Sequence, residues 1–317
     1  MPFSRINFLR SFRFRVMAWL FVVVVGTMIL TTFLVRAACL ITRTPFILWA
    51  GSTPNEQSWR RSITSWPVRL LVRGAAACLA YGTQAKAYLE SLGARQVIVS
   101  FNTVDVRAFE AKTGELEPQR DLVKQQLGIN AKFVVLYVGQ LIDRKGVLTL
   151  ANALGRLDSQ LDVAMLWVGY GSLREQLAEI AQHDMKIKHY FCAAKNIDEL
   201  ARFYAVADVS VVPSTEEVWG LVVNESLASG VPVITTSAVG SAVDLIRDGW
   251  NGFVVSPDDE SAVADRITRV LTTEPGTDTW SQNARAGMQD FTYEQNVCAF
   301  RQAISAVTSR RLNFSPS

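Results

Sequence analysis

The sequence predicts an α/β protein with parallel sheets, because short apolar runs alternate with helical patterns along much of its 317 residues. Three of these runs, Lys132–Gly139, Leu161–Gly169 and Val209–Val212, have the length and composition of buried strands. The helical patterns that follow them are Val147–Leu157, Ser172–Gln182 and Leu221–Ser229. Successive strand and helix units of this kind build a parallel sheet.

Two carboxylates lie around the turn that follows the third strand. In the stretch VVPSTEEVWGLVVNESLASGVPVIT, Glu217 falls in the exit loop Pro213–Gly220 and Glu225 falls near the start of the next helix. A further strand is predicted at Val231–Thr235. Ligands of open parallel sheets bind at the carboxyl ends of the strands, so both carboxylates should face that crevice. Carboxylates accept hydrogen bonds, which indicates a ligand with hydroxyl groups.

Other residues should reach the same edge of the sheet. Gly139 and Lys145 follow the first of these strands, and Gly169 and Gly171 follow the second. Because the carboxyl ends of parallel strands meet at one edge, we expect these residues near the two glutamates. The two later glycines are as consistent with tight turns alone as with ligand binding.

A small-residue turn at Ala238–Ser241 opens a short helix. The backbone N–H groups of Gly240 and Ser241 are therefore expected to be free to hold a phosphate. A lysine, free amides and carboxylates at one sheet edge are together suited to a nucleotide sugar.

The segment from about Phe133 to Leu271 resembles the donor-binding domain of retaining glycosyltransferases of family four, which have the GT-B fold of two Rossmann-like domains. The resemblance depends on several motifs in the correct order rather than on any one of them. They are Gly139-Gln140-Leu141 to Lys145-Gly146, Gly169-Tyr170-Gly171, the helix Leu200–Asp208, the E-x7-E pair Glu217 and Glu225, and the loop Val239–Gly252.

The resemblance implies a role for each matching residue. Glu225 would bind the ribose hydroxyls, Glu217 would contact the transferred sugar, and Lys145 would hold the diphosphate with the amides of Gly240 and Ser241. The implied catalytic residues are Glu217 and Lys145, and the family binds its donor without a metal ion or another cofactor. The remaining implied donor-binding residues are Gly139, Gln140, Gly169 and Gly220.

Two departures from the family pattern bear on activity. The arginine usual after Gly139 is Gln140 here, so stabilisation of the diphosphate should be weaker or come from another residue. Family members often place a histidine by the reacting sugar, but the two histidines of this chain, His183 and His189, do not match that position. Both are expected to be surface residues rather than catalytic ones.

The first third of the chain is strongly basic. Residues 1–110 contain 13 Arg and Lys against 4 Asp and Glu, whereas the remaining chain contains 19 against 25. The stretch Ser58–Arg73 mixes arginines with Trp59 and Trp66, which is typical of a segment at a membrane surface and predicts anionic lipid as a partner. A solvated helix face is the alternative. Nucleic acid is not expected, because no recognition motif accompanies the charge.

Residues Val16–Val35 are uncharged and follow several arginines, which satisfies the length and flank tests for a transmembrane helix. The competing interpretation is a strand at Phe21–Val25, a buried helix at Thr27–Ile41 and a strand at Pro45–Trp49. We favour the folded interpretation, because a true span would place the rest of the chain across the membrane from cytoplasmic nucleotide sugars.

The predicted organisation has four parts. Residues 1–110 would be a partial acceptor-binding Rossmann-like domain, shorter at its amino terminus than in the family, so that the chain is a fragment or its first residues replace the missing strands. A linker would follow at 111–130, where the sequence is polar and acidic. The donor-binding domain would occupy 131–275, and helices at 276–317 would return towards the first domain.

The sequence therefore predicts a retaining glycosyltransferase that moves a sugar from a nucleotide diphosphate donor to a hydroxyl of a glycan or lipid-linked acceptor. Cell-surface polysaccharide or glycolipid synthesis is the expected setting. The alternative is a catalytically impaired nucleotide-sugar-binding remnant or partner protein. A sugar-nucleotide epimerase would share the architecture, but the E-x7-E arrangement argues against it.

Four isolated cysteines have neither metal-ligand spacing nor a disulfide pattern, which indicates a reducing cytosol. They are Cys39, Cys78, Cys192 and Cys298. With the basic first third, this predicts a peripheral protein at the cytoplasmic face of the cell membrane, in preference to a single-span protein.

Overall fold

The structure is a computed structural model and describes residues 30–51, 59–184, 186–194, 196–273 and 279–312. It contains two sheets in which every strand pair is parallel, one with three strands and one with six. The α/β fold class with parallel sheets is thus confirmed.

The three-stranded sheet has the order β1-β2-β3, with helices between successive strands. Its elements are α1 (residues 30–41), β1 (Ile47–Ala50), α2 (Trp59–Gly74), β2 (Ala77–Ala80), α3 (Thr83–Ser91) and β3 (Val97–Val99). The central strand β2 is buried along its whole length, as expected for a strand with a neighbour on each side.

The six-stranded sheet has the order β6-β5-β4-β7-β8-β9. Its strands are β4 (Phe133–Val138), β5 (Val163–Val168), β6 (Lys188–Cys192), β7 (Val209–Val212), β8 (Val233–Thr236) and β9 (Gly252–Val255). The helices are α4 (Val106–Leu116), α5 (Arg120–Gln126), α6 (Val147–Leu154), α7 (Arg174–His183), α8 (Ile197–Val206), α9 (Leu221–Ala228), α10 (Ala242–Leu245), α11 (Glu260–Thr272), α12 (Thr279–Ala286) and α13 (Tyr293–Leu312).

The strands that the apolar runs predict are present at β1, β4, β5, β7 and β8. The strand β6 was not predicted, because its sequence, KHYFC, is polar at its start and lacks a continuous apolar run. This strand lies at the edge of the sheet, where burial is incomplete and the compositional signal is weaker.

The helix predicted at Thr27–Ile41 is present as α1 over the described residues, but it is not buried. Most of its side chains are exposed, and Ile41 has 82% of its surface accessible. The helix packs on α2 through Phe33 and Trp66, whose ring centroids lie 5.7 Å apart. The strand predicted at Phe21–Val25 lies outside the described residues.

Among the described residues, no helix has both the length and the apolar character needed to cross a bilayer. Most of the predicted span Val16–Val35 lies outside those residues.

The stretch 111–130, where a linker is predicted, is helical as far as Gln126. Helix α4 begins at the N-cap Asp105, whose carboxylate accepts from the Ala108 amide, and α5 follows after a single 3-10 turn. Phe109 of α4 packs edge-on against Tyr204 of α8, with ring centroids 6.0 Å apart. Helix α4 was not predicted, because the sequence is polar and acidic and only every third or fourth residue of the helix is buried.

The carboxyl-terminal helix α13 returns to the three-stranded sheet. Ala299 and Ala303 pack against Leu79 of β2, and Phe300 lies edge-on to Trp49 with ring centroids 5.2 Å apart. Helix α13 therefore joins the end of the chain to its first sheet.

Candidate functional site

Two glycine loops lie at the carboxyl edge of the six-stranded sheet. Gly139 follows β4 with φ of 149°, and Gly169 follows β5 with φ of 148°. The Gly139 amide donates to the Val168 carbonyl at 2.9 Å. A Cβ on Gly169 would overlap the Gly139 carbonyl, so glycine is required by close approach as well as by φ. The prediction that Gly139 and Gly169 lie on one edge is confirmed.

Lys145 ends a 3-10 turn after β4 and forms an ion pair with the carboxylate of Glu217. Both side chains are mostly buried. Burial, and then the nearby guanidinium of Arg144, lower the pKa of Lys145 to about 8. The site thus holds a cation whose proton is more easily lost than that of an exposed lysine.

The exit loop of β7 pairs with the loop after β8, and this corrects the prediction about free amides. The amide of Gly240 donates to the Glu217 carbonyl at 3.0 Å, and the amide of Ser241 donates to the Trp219 carbonyl at 3.0 Å. Neither amide is free for a phosphate. A Cβ on Gly240 would overlap the Val218 carbonyl, because the two loop backbones lie in contact.

Two serine hydroxyls in these loops have no partner. The Oγ atoms of Ser241 and Ser214 are buried and have no hydrogen-bond partner. A Cβ on Gly220, which has φ of 88°, would lie 3.8 Å from Ser241 Oγ and 3.3 Å from the Cγ of Glu217. The Ser241 hydroxyl and the Glu217 side chain thus both approach the position that a Cβ on Gly220 would occupy. Buried unpaired hydroxyls are rare and point to a ligand or ordered water.

Glu225 has a separate partner, the hydroxyl of Tyr204 on α8, which donates to its carboxylate at 2.8 Å. Burial raises the pKa of Glu225, and the Tyr204 hydrogen bond opposes that rise. The helix with this tyrosine was part of the sequence motif, but its contact with Glu225 was not predicted. The structure thus pairs Glu217 with Lys145 and pairs Glu225 with Tyr204.

Gln140, which replaces the family's arginine, is exposed, and its carbonyl accepts from the Tyr137 hydroxyl at 2.7 Å. A second cation nevertheless lies beside Lys145. The carbonyl of Arg144 accepts from the Thr215 amide at 2.9 Å, which fixes the 3-10 turn to the exit loop of β7. Sequence reasoning did not single out Arg144, because an exposed arginine next to a lysine is ordinary in a turn.

Helix α3 of the three-stranded sheet contacts helix α10, which follows β8. The amide of Thr83 donates to the Asp244 carboxylate at 2.9 Å, and its hydroxyl also donates to that group. Burial raises the pKa of Asp244, and the two Thr83 hydrogen bonds oppose that rise. A second contact joins Asn224 of α9 to the carbonyl of Asn102 at 3.3 Å. None of these residues was predicted, because 161 residues separate Thr83 from Asp244.

The prediction that both histidines are surface residues is wrong for His189. Its side chain is 1% exposed and stacks with Trp167, whose indole nitrogen donates to Nδ1 at 3.1 Å. Burial lowers the pKa of His189, although Asp184 opposes that shift through the other ring nitrogen. His183 is exposed at the end of α7. Neither ring lies among the residues of the site.

The sequence belongs to a family of sugar-transferring enzymes. The sequence profile described as Glycosyl transferases group 1 matches residues 119–287, which is more than half of the chain. The protein belongs to this glycosyltransferase family.

Curated relatives match part of the chain. An uncharacterized glycosyltransferase of Methanocaldococcus jannaschii is 32% identical over 139 residues, which are 44% of this chain and 35% of that protein. The capsular polysaccharide biosynthesis glycosyltransferase CapM of Staphylococcus aureus is 27% identical over 60% of this chain and 49% of its own length. The chain thus matches about a third to a half of the length of these curated relatives.

Solved structures of glycosyltransferases share the fold. HepE of Anabaena in complex with UDP superposes with a TM-score of 0.70 at 22% identity, over 90% of this chain and 77% of that chain. Sucrose-phosphate synthase of Thermosynechococcus elongatus has a TM-score of 0.68 at 24% identity, over 83% of this chain and 68% of that chain. These similarities support the GT-B architecture.

Proposed function

We propose that the protein transfers a sugar, with retention of configuration, from a nucleoside diphosphate donor to an acceptor hydroxyl. The observation that carries the proposal is the ion pair of Lys145 and Glu217 at the carboxyl edge of the sheet, beside the glycine loops of Gly139 and Gly169. A compact cation suits the diphosphate, and a carboxylate suits the sugar hydroxyls. Related structures of HepE contain UDP and glucose or UDP-glucose, which supports a nucleotide-sugar donor.

Charge on the leaving group would be stabilised by the side chains of this edge. Breaking the bond between the sugar and the diphosphate develops negative charge on the leaving oxygens, and a fixed ammonium lowers that barrier. Lys145 supplies this charge without a metal ion or other cofactor. Arg144, on the same 3-10 turn, supplies the second positive charge that Gln140 lacks.

The buried hydroxyl of Ser241 adds a donor for a phosphate oxygen. Ser241 would bind the donor through its side chain, because its amide is already paired with the Trp219 carbonyl. Gly240 then contributes by allowing the two loops to meet.

The configuration at the anomeric carbon is retained if the acceptor attacks the face of the sugar from which the leaving group departs. The bond from the anomeric carbon to the diphosphate oxygen breaks, the bond to the acceptor oxygen forms, and the acceptor proton passes to the departing phosphate. Glu217 would position the sugar, and Glu225, held by Tyr204, would bind the ribose hydroxyls. Each carboxylate would accept hydrogen bonds, and neither would form a covalent intermediate.

We further propose that the protein works at an anionic membrane on lipid-linked or cell-surface glycans. Large apolar side chains of α1 are exposed, among them Leu34, Leu40 and Ile41, and exposed arginines such as Arg43 and Arg69 lie on the same part of the chain. An exposed apolar face with arginines at its margin is suited to an anionic lipid surface. Matched relatives are named for capsular polysaccharide and lipopolysaccharide core synthesis.

The test is calorimetric titration of the purified chain with UDP-, GDP- and ADP-sugars, with transfer and hydrolysis followed in the same samples. Binding of one donor with turnover is the expected result. Binding without turnover would support a nucleotide-sugar-binding remnant instead. Absence of both binding and turnover with every donor would contradict the proposal.

A further inference from the structure

Trp219 lies between the two glutamates of the E-x7-E pair, and only 4% of its surface is exposed. Its indole Nε1 donates to Oδ1 of Asn224 at 2.9 Å, and Asn224 directly precedes Glu225 in α9. This hydrogen bond joins the exit loop of β7, which contains Glu217, to the helix that contains Glu225. The side chain of Trp219 therefore fixes the position of one glutamate relative to the other.

Asn224 also contacts the three-stranded sheet. It is completely buried, and its Nδ2 atom donates at 3.3 Å to the carbonyl of Asn102, which follows β3. The amide of Asn102 in turn donates at 3.0 Å to the carbonyl of Tyr81, which follows β2. Both polar atoms of the Asn224 side chain are thus paired, one with Trp219 and one with the loop after β3. Because a buried side-chain amide needs partners at both ends, this contact defines how the two sheets meet.

Gly82, at the carboxyl end of β2, packs directly against the indole ring. A Cβ on Gly82 would overlap Trp219 and would lie 2.5 Å from Oδ2 of Asp244, a carboxylate that is itself held by Thr83. The φ of Gly82 is −177°, which suits any residue, so space rather than backbone conformation requires glycine here. The ring centroid of Phe101 lies 6.2 Å from that of Trp219. The three-stranded sheet therefore approaches Trp219 so closely that one methyl group would displace the ring.

The backbone around Trp219 is fixed as well. The Trp219 carbonyl accepts from the Ser241 amide, and the Glu217 carbonyl accepts from the Gly240 amide, both at 3.0 Å. Glu217 is only two residues away and carries the carboxylate that pairs with Lys145. Displacement of the indole ring would therefore disturb the loop that holds Glu217.

We propose that Trp219 and Asn224 are positioning residues, which fix Glu217 and Glu225 relative to the three-stranded sheet. The inference rests on the proposed function, in which both carboxylates hold the donor. The two positioning side chains are buried where the sheets meet, so they act through their neighbours rather than on the donor. A misplacement of about 1 Å can cost about 10²-fold in rate, so transfer would depend on how the two sheets meet.

Gly82→Ala and Trp219→Phe are the test variants, and Gly74→Ala is the matched control. Gly82→Ala displaces the indole from the side of the three-stranded sheet. Trp219→Phe keeps an aromatic ring but leaves Oδ1 of Asn224 unpaired, so it tests the coupling with a conservative change. Gly74 lies at the other end of β2, where a Cβ would be 2.7 Å from the guanidinium of Arg36.

The first measurement is hydrogen exchange, followed by mass spectrometry, in the peptide of residues 213–228, and it needs no donor. We expect exchange at least about tenfold faster in both test variants than in the parent chain, as loss of a buried hydrogen bond predicts, and unchanged exchange in Gly74→Ala. Peptides of β4 and β5 should exchange as in the parent chain. Unchanged exchange of residues 213–228 in both test variants, or equal acceleration in Gly74→Ala or in β4 and β5, would overturn the coupling whatever the donor results are.

The second measurement is calorimetric titration of the full chain with UDP-, GDP- and ADP-sugars, with transfer followed in the same samples. Both test variants should bind the donor about tenfold more weakly and transfer more slowly, whereas Gly74→Ala should match the parent chain. If the parent chain binds a donor and both test variants match it in affinity and in kcat/KM, the positioning role is overturned and the proposed function stands. If the parent chain binds no donor, the proposed function itself is overturned, and the positioning role with it.

Discussion

The ammonium of Lys145 contacts the carboxylate of Glu217 although 72 residues separate them in the chain. Lys145 follows β4 and Glu217 follows β7, and these strands are neighbours in the sheet. Parallel pairing brings the two loops to the same edge. In the proposed function, the diphosphate competes with Glu217 for the ammonium, and the freed carboxylate turns to the sugar.

Replacement of Lys145 by Met should reduce kcat/KM for the donor by about 10²–10³-fold, comparable to removal of one fixed donor to a developing oxyanion. Steady-state kinetics with the donor identified by titration measure the change. Lys188→Met, at an exposed position on the edge strand β6, is the control and should retain full activity. Equal activity of the Lys145 and Lys188 variants would remove Lys145 from the site.

Donor affinity should depend on pH through Lys145. Its pKa in the free protein is lowered to about 8, mainly by burial, so the ammonium is lost as pH rises through that value. Affinity is therefore expected to be constant below about pH 7 and to fall tenfold per pH unit well above pH 8.

The Lys145→Arg variant provides the control for this pH dependence, because a guanidinium stays charged throughout the range. Its affinity should be lower overall but flat between pH 7 and 9. If the alkaline loss of affinity persists in this variant, another group is responsible.

Replacement of Tyr204 by Phe should destabilise the protein through Glu225. The hydroxyl of Tyr204 is the donor to this carboxylate, and its loss should cost about 1–2 kcal/mol of unfolding free energy at pH 7. It should also raise the pKa of Glu225 further. Urea unfolding measures the cost, with Tyr170→Phe as the control at an exposed tyrosine.

The cost of Tyr204→Phe should shrink as pH falls. As pH is lowered, a carboxyl group whose pKa is raised in the folded protein takes up its proton at a higher pH in the folded protein than in the unfolded chain. The ordinary pKa of this glutamate is 4.5. Near that pH Glu225 is mostly protonated in the folded protein, so removing the Tyr204 hydroxyl should cost less unfolding free energy. A cost that stays constant down to pH 4.5 would mean that Tyr204 acts through packing alone.

Gly146 and Gly128 allow the cost of a side chain to be compared at two glycines with similar φ. Both have φ near 70°, but a Cβ on Gly146 would overlap the Pro213 carbonyl, whereas a Cβ on Gly128 would meet open space. Gly128→Ala should lower the unfolding free energy by about 1 kcal/mol, the cost of the left-handed conformation. Gly146→Ala should cost at least about 2 kcal/mol more, because the overlap forces the two loops apart. Equal costs, measured by urea unfolding, would contradict the close approach.

Membrane binding should depend on α1. The double variant Leu34→Glu, Leu40→Glu is expected to reduce sedimentation with vesicles of phosphatidylglycerol at least tenfold, because each carboxylate opposes burial of the apolar face and is repelled by anionic lipid. Leu122→Glu is the control, since Leu122 is exposed on α5. Equal sedimentation of both variants would exclude α1 as the contact.

The sequence by itself determined the fold class and the order of the motifs. Buried strands such as β7 are continuous apolar runs bounded by turn residues, and this signal is local, so no tertiary information is needed to find them. The same holds for the eight-residue spacing of Glu217 and Glu225, from which we predict a ligand site at the carboxyl edge of the sheet.

Only the tertiary structure decided which groups are paired. Whether the Gly240 amide is free depends on a loop 23 residues earlier, whose Glu217 carbonyl lies 3.0 Å away. Burial of His189 depends on Trp167 in the neighbouring strand, and the contact of Thr83 with Asp244 depends on how the two sheets meet. Hydrogen bonds between distant segments have no local pattern in sequence, because they form from the packing of elements that sequence predicts one at a time.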